Sequence, residues 1–295
     1  MTPLREKYQR DMTVRGLAAR TRQSYTSYVA DLARYHHRSP DQIAYDEVVD
    51  WIHHLIRDRQ LAASSVNIAV NGVRFLYAVT LRREVAPLLA AIPRMKRNVT
   101  RAHVYARSEL EAILTAPAQP RDRAFLMTVY AAGLRLSEAI ALQTRDIDRP
   151  RMQLRVREGK GGKERVLPLS PRLLQELHTY WLAQRAGKPG HDSPWLFLGA
   201  RSGRPINKGT GQNIYYRAVK KSGVRRKGGI HLLRHSYATH CIESGLELTL
   251  VQRLLGHSSL MTTARYLHVT AARLGQAGSP LDLIDLGSLA PRNPA

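Results

Sequence analysis

The chain has 295 residues, enough for two domains of ordinary size, and 43% of them are hydrophobic, which excludes wholesale disorder. Its 46 lysines and arginines against 23 acids give a formal net charge of +23, a surplus that asks for a polyanion and points to nucleic acid. A single cysteine, Cys241, excludes an internal disulfide and cysteine-based zinc sites; no apolar signal-peptide core opens the chain, and the longest apolar stretch, 124–134, is too short to cross a membrane, so a cytoplasmic, nucleoid-associated protein is expected.

From residue 1 to about 92 the pattern is helical. Tyr25, Tyr28, Val29, Leu32 and Tyr35 recur at three and four, and Val48, Val49, Trp51, Ile52, Leu55 and Ile56 mark a second helix. Ser64 or Ser65 is the expected cap of a third, whose face carries Ile68, Ala69, Gly72, Val73, Leu76 and Tyr77. The whole predicts a bundle of about four helices. It is only mildly basic, with 13 lysines and arginines to 9 acids. Residues 93–107 then carry Arg94, Lys96, Arg97, Arg101 and Arg107 with no acid, the texture of a basic interdomain linker.

A second domain is expected over 108–275. Ser108-Glu109-Leu110-Glu111 reads as a capping box opening a helix, and 124–132 as an apolar helix broken at Gly133. Residues 152–157 alternate apolar and charged side chains, Gly159-Lys160-Gly161-Gly162 makes a tight turn, and 163–169 returns: a β-hairpin with a lysine at its tip. Helices follow over 173–184, 213–221, 232–243 and 248–255, with a short apolar run at 195–198. The fold class is therefore mainly α with a small β-sheet. From 193 to 242 there are ten lysines and arginines and no acid, which predicts a phosphate-facing surface. Leu281, Leu283, Ile284 and Leu286 form an apolar stripe in a tail over 276–295, which would pack either on its own domain or on a neighbouring subunit.

Breaking a phosphodiester without a metal needs an in-line nucleophile, donors for the equatorial oxygens and an acid for the leaving oxygen. Guanidinium groups suit the second task because they are permanently charged and fork-shaped. Arg135 follows the break at Gly133 and stands at the mouth of the next helix. His231 and Arg234 lie three apart and share a helix flank, with Leu232 and Leu233 turned to the core. His257 follows a glycine helix stop at Gly256. Tyr266 ends a polar run. A metal reading of His231, His235 and His240 fails on spacing: the glutamate of H-E-x-x-H is missing, and His240 falls on another face. No metal or cofactor is expected.

Taken together, Ala132-Gly133-Leu134-Arg135-x-Ser137-Glu138, then Gly159-Lys160-Gly161-Gly162-Lys163-Glu164-Arg165, then His231-x-x-Arg234-His235-x-x-Ala238-Thr239-His240, then Leu255-Gly256-His257 with Thr262-Thr263-x-x-Tyr266, resemble the tyrosine recombinase (phage integrase) family, its Xer and integron-integrase branch above all. Over the first hundred residues the resemblance extends only to a helical, core-binding (SAM-like) layout. It implies an α+β catalytic domain and site-specific cleavage and rejoining of DNA through a 3′-phosphotyrosyl intermediate. Arg135 and Arg234 would clamp the phosphate, His231 would assist proton removal from Tyr266, and His257 would hydrogen-bond a phosphate oxygen. Lys160, with Lys163 as its competitor, would protonate the leaving 5′-hydroxyl, and Glu138 would hold its neighbours. The implied partners are two recombination sites on double-stranded DNA and a homotetramer assembled there from free monomers or dimers. Ala132, where a hydroxyl residue is common, and Leu267, where threonine is frequent, depart from the pattern. A catalytically silent DNA-binding relative and a type IB topoisomerase are the alternatives. Retention of every member of the cluster argues against the first, and the core-binding layout with the terminal stripe against the second.

Overall fold

The computed structural model describes residues 2–92, 95, 103–157, 164–189, 191–199, 203–226, 228–257 and 259–264, with the backbone alone at 88 and 89. The chain divides into two compact units, Met1–Thr100 and Arg101–Ala295.

The first unit contains α1 (Pro3–Val14), α2 (Ala19–His36), α3 (Tyr45–Arg57), α4 (Ala63–Phe75), which runs on into one π-helical turn over Leu76–Thr80, and a short α5 (Ala86–Ala91). Proline at the first position of α1 costs no hydrogen bond, and Thr2 accepts one from the Arg5 amide. On α3 the positions Val48, Trp51, Ile52 and Leu55 recur at helical spacing and are all buried. They close a core with Met12, Leu32, Val66, Val73, Leu76 and Tyr77. The buried phenols keep their polar ends satisfied: Tyr8 donates to the Gly72 carbonyl at 2.8 Å and Tyr77 to that of Ile43 at 2.9 Å. Among the described residues this unit holds five α-helices and a 3-10 turn at Pro40–Gln42, where about four helices are expected from the sequence. The expected serine cap of α4 is not used: α4 starts beyond Ala62 with no side-chain cap, and both serines lie in its first turn. Tyr35, expected on the apolar face of α2, is 41% exposed.

In the second unit α6 (Arg107–Thr115), α7 (Pro120–Ala131) and α8 (Leu136–Ile140) precede a sheet of three antiparallel strands, β1 (Ile147–Asp148), β2 (Gln153–Val156) and β3 (Arg165–Pro168), in the order β1-β2-β3. Then come α9 (Pro171–Gln184), α10 (Lys208–Ser222), α11 (His231–Glu243), α12 (Leu248–Leu255) and α13 (Leu260–Ala264). The hairpin arms register Leu154 with Leu167 and Val156 with Arg165, and alternation buries Leu154, Val156 and Leu167. The expected hairpin is present in its arms; its tip, with Lys160 and Lys163, lies outside the described residues. So do Tyr266 and the apolar stripe of the tail. The core joins Phe125, Val129, Leu154, Leu167, Leu177, Tyr180, Phe197, Tyr215 and Leu233.

One capping expectation is corrected. Helix α6 begins at Arg107, so its third residue is Glu109, whose carboxylate accepts from the Ala106 amide at 2.8 Å. Glutamate at the third position satisfies an orphan amide whatever residue precedes the helix, so only this half of a box is formed, on Ala106, and Ser108 does not cap the helix. Among the described residues no helix is long and apolar enough to cross a membrane.

Candidate active site

Two glycines in left-handed conformation shape the site. Helix α7 stops at Gly133 (φ +55°), where the amides of Gly133 and Leu134 return to the carbonyls of Tyr130 and Val129. Space as well as torsion demands glycine there, because a Cβ would stand 2.4 Å from Cδ1 of Tyr237. The turn delivers Arg135 to the position just before α8. Helix α12 ends the same way at Gly256 (φ +62°), whose amide and that of His257 return to Arg253 and Gln252.

That second stop leaves the carbonyls of Leu254, Leu255 and Gly256 pointing out of the helix end. Three arginines donate to them. Arg165 Nε reaches Leu254 O at 2.9 Å, Arg234 Nη2 reaches Leu255 O at 2.6 Å, and Arg135 Nη2 reaches Gly256 O at 3.2 Å. Arg234 Nη1 also donates to Gly133 O at 2.8 Å, tying the two glycine turns together.

The same three guanidiniums surround one carboxylate. Glu138, its side chain 2% exposed, accepts from Arg135 Nη1 at 2.6 Å and from the Arg135 amide at 2.9 Å. It accepts from Arg165 Nη1 at 3.1 Å and Nη2 at 2.7 Å, and Arg234 Nη1 lies 3.7 Å away. Burial alone would raise its pKa, but the hydrogen bonds from Arg165 and Arg135 hold it below the ordinary value. Three guanidiniums thus face one carboxylate and one helix C-terminus. Among the described residues the cluster keeps a formal excess of two positive charges, the endowment a phosphodiester needs as it gains charge on the way to a pentacoordinate state.

His257 borders this cluster, half-buried. Burial first, then the charges of Arg234 and Arg135, push its pKa from 6.5 down to about 4. The ring is therefore neutral at physiological pH. Its Nδ1 lies 2.9 Å from Oγ1 of the buried Thr263. When the threonine hydroxyl donates in that bond, Nε2 carries the ring proton and can donate to an oxyanion.

The remaining sequence candidates fall as follows. Arg135, Glu138, Arg234 and His257 are brought together. His231 opens α11 one turn before Arg234, but the two differ in burial: His231 is exposed and Arg234 is 6% exposed. The His231 ring meets that of His235 edge to face at 5.4 Å, and the charge of His235 contributes to lowering the His257 pKa. His240 points elsewhere, its Nδ1 2.9 Å from the Tyr130 hydroxyl. Among the described residues no group of three metal-ligating side chains occurs. The acid-free stretch is mixed in use. Arg204, Lys208, Arg217, Lys220, Lys221, Arg225 and Arg226 are exposed, Arg217 also pairing with Asp122, whereas Arg234 belongs to the buried cluster.

Arg165 and His235 were given no role from the sequence. For Arg165 a signal exists: it stands two residues before Leu167 on β3, and so on the face that turns inward, where a charged residue needs a partner. For His235 the pattern offers nothing beyond its place beside Arg234. The described tyrosines around the site are occupied otherwise. Tyr237 packs on Gly133 and shares a hydrogen bond with Cys241, and burial pushes its phenol up; Tyr105 and Tyr215 bond each other at 2.7 Å.

Comparison with known proteins places the chain in a family. Residues 103–273 match the Phage integrase family, and residues 4–86 match the Phage integrase N-terminal SAM-like domain. The Sinorhizobium fredii protein y4qK, which carries the name of an integrase/recombinase, is 36% identical over 284 residues, 96% of this chain and 90% of the relative. Tyrosine recombinase XerA of Thermococcus kodakarensis is 32% identical over 286 residues, 95% of each chain. Among solved structures, the integrase of transposon Tn1549 in complex with transposon right end DNA superposes with a TM-score of 0.71 at 16% identity, over 93% of this chain and 99% of that one, a likeness of fold.

Proposed function

This chain belongs to the phage integrase family and is a tyrosine-type recombinase, and on that footing we propose that it cleaves and rejoins double-stranded DNA through a 3′-phosphotyrosyl bond to Tyr266. The observation that carries the reading is the buried carboxylate of Glu138 holding Arg135 and Arg165, with Arg234 at its edge and His257 alongside. Such a cluster suits one anionic phosphorus centre.

In this reading the Tyr266 phenolate oxygen attacks phosphorus and the P–O5′ bond breaks. Arg135 and Arg234 bind the non-bridging oxygens as charge builds, and neutral His257 donates a further hydrogen bond through Nε2. His231, exposed at the head of α11, takes the phenol proton. Lys160 gives one to the departing 5′-oxygen. A phenol with an ordinary pKa near ~10 is a weak nucleophile at neutral pH, and the excess positive charge of the cluster favours its ionised form. One phosphoester replaces another, so no external energy source enters, and the 5′-hydroxyl of the same or a partner strand reverses the step. A duplex substrate is supported by the protein's basic surplus and by the DNA complex of the structural relative. Strand exchange between two sites requires four active centres, hence a tetramer on DNA.

The test is covalent capture. Purified protein is incubated with nicked suicide duplexes of randomised sequence, adducts are isolated under denaturing conditions, and the modified residue is located by mass spectrometry. A phosphopeptide linked through Tyr266, with no adduct from Tyr266→Phe, is expected. Attachment through another residue, or an equal yield from the variant, overturns the reading. Sequencing the trapped ends identifies the target.

A further inference from the structure

We infer that Arg165 is a positioning residue of the reaction: through Glu138 it keeps Arg135 and Arg234 aimed, and through Leu254 it ties β3 to the end of α12 that presents His257. The inference rests on the reading above.

Arg165 uses all three of its guanidinium nitrogens within the cluster. Nη1 and Nη2 take both oxygens of Glu138 in a fork, at 3.1 and 2.7 Å, while Nε spans to Leu254 O at 2.9 Å. Its side chain is 10% exposed, against 26% for Arg135, so it is the less accessible of the two to a duplex. Gly256 packs on it so closely that a Cβ there would lie 3.1 Å from Nη1. Three of its five N–H donors, one on each nitrogen, are thus spent inside the protein, on the group that holds Arg135 and on the helix end next to His257.

Among the described residues the charged groups facing Glu138 are Arg135 at the head of α8, Arg165 of β3 and Arg234 of α11; α12 contributes backbone carbonyls, and His257 follows it beside two of these arginines. Burial pushes the Glu138 carboxyl toward its neutral form, and the Arg165 hydrogen bond is the largest influence opposing it. Without Arg165, Glu138 would take up a proton at a higher pH. A neutral Glu138 would release Arg135.

The experiment measures single-turnover adduct formation from pH 4.5 to 8 on the captured duplex, together with duplex affinity, for the unaltered protein, Arg165→Gln, Arg165→Lys, Glu138→Gln and the Gln/Gln double variant. In Arg165→Gln, affinity should stay within about threefold while cleavage at pH 7.5 falls about a hundredfold. The acid limb of its pH profile should move up by about one unit. Arg165→Lys should recover about tenfold, because it keeps a charge opposite Glu138 but loses the fork. The double variant should be within about threefold of its slower parent, as expected for residues acting as a unit. A loss of one size at every pH with additive effects in the double variant overturns the inference, as does unchanged cleavage. If Arg165→Gln fails to fold, the Lys variant and Glu138→Gln carry the same pH comparison. Absence of adduct from the unaltered protein is a different result: it removes the recombinase chemistry itself.

Discussion

Replacing Glu138 by alanine should be among the most damaging single changes available in the second unit. The carboxylate is 2% exposed, accepts four hydrogen bonds from Arg135 and Arg165, and has Arg234 at 3.7 Å. Deleting it leaves guanidiniums in a poorly hydrated place, facing backbone carbonyls without the carboxylate charge. Removing one member of a buried, hydrogen-bonded charge pair costs about 3–5 kcal/mol, chiefly as the penalty on the charge left behind. In a unit of this size each kcal/mol moves the melting temperature by about 2–4 °C, so the Glu138→Ala unit should melt about 6–20 °C lower. Glu138→Gln keeps the shape and an acceptor oxygen and should lie between the two. The assay is thermal unfolding followed by circular dichroism at pH 7 and moderate salt, without DNA. A variant melting within 2 °C of the unaltered protein, at about the resolution of one such interaction, would mean that water or another anion compensates the arginines, and the account of the cluster would be wrong.

Other outcomes follow from the same geometry. Arg135→Lys should keep duplex affinity within a few-fold but lose about a hundredfold or more in cleavage, since a point charge cannot replace a fork that serves Glu138 and a phosphate together; single-turnover rates near the unaltered value would remove Arg135 from the site. Thr263→Val deletes the partner of His257 Nδ1, so nitrogen NMR should report a changed tautomer ratio alongside slower cleavage; an unaltered ratio would refute the assignment. Gly133→Ala forces a left-handed torsion on alanine and drives its Cβ toward Tyr237, a cost of about 2–5 kcal/mol readable in denaturant titration. The pH dependence of stability has a definite sign. Both Glu138 and His257 have folded-state pKa values below their ordinary ones, so the unfolded chain binds more protons and acid destabilises the fold. The His257 contribution is whole above its ordinary 6.5 and is lost as the pH falls toward about 4, whereas that of Glu138 is lost only below 4.5. His257→Gln should flatten the upper part of that curve and leave the lower part, as equilibrium unfolding at stepped pH would reveal.

How much of this could be read in advance differs between elements. Helices α3, α7 and α12 repeat apolar residues over several turns or end on a glycine, and such local rules are written in consecutive residues. Helix starts were harder. Serines at 64, 65 and 108 have strong capping preferences, yet α4 begins beyond Ala62 with no side-chain cap and α6 uses Glu109 on the Ala106 amide. Capping preference is worth about a kilocalorie, less than the packing of the apolar face that fixes where a helix begins. The two-residue strand β1 carries too few residues for any period to register.

What the amino-acid order determined by itself was the inventory and its local setting: a basic chain, a helical first unit, a hairpin, two glycine stops and the residues placed just beyond them. Those follow from backbone torsion and side-chain periodicity, which act over a few residues. Tertiary structure alone decided that Arg165 and Arg234 join the local Arg135–Glu138 pair, and that all three arginines meet on three consecutive carbonyls of one helix end. Pairings between residues 21 to 121 positions apart depend on how β3, α8, α11 and α12 pack, and the gain of charge-assisted bonds exists only once packing has removed the water between them.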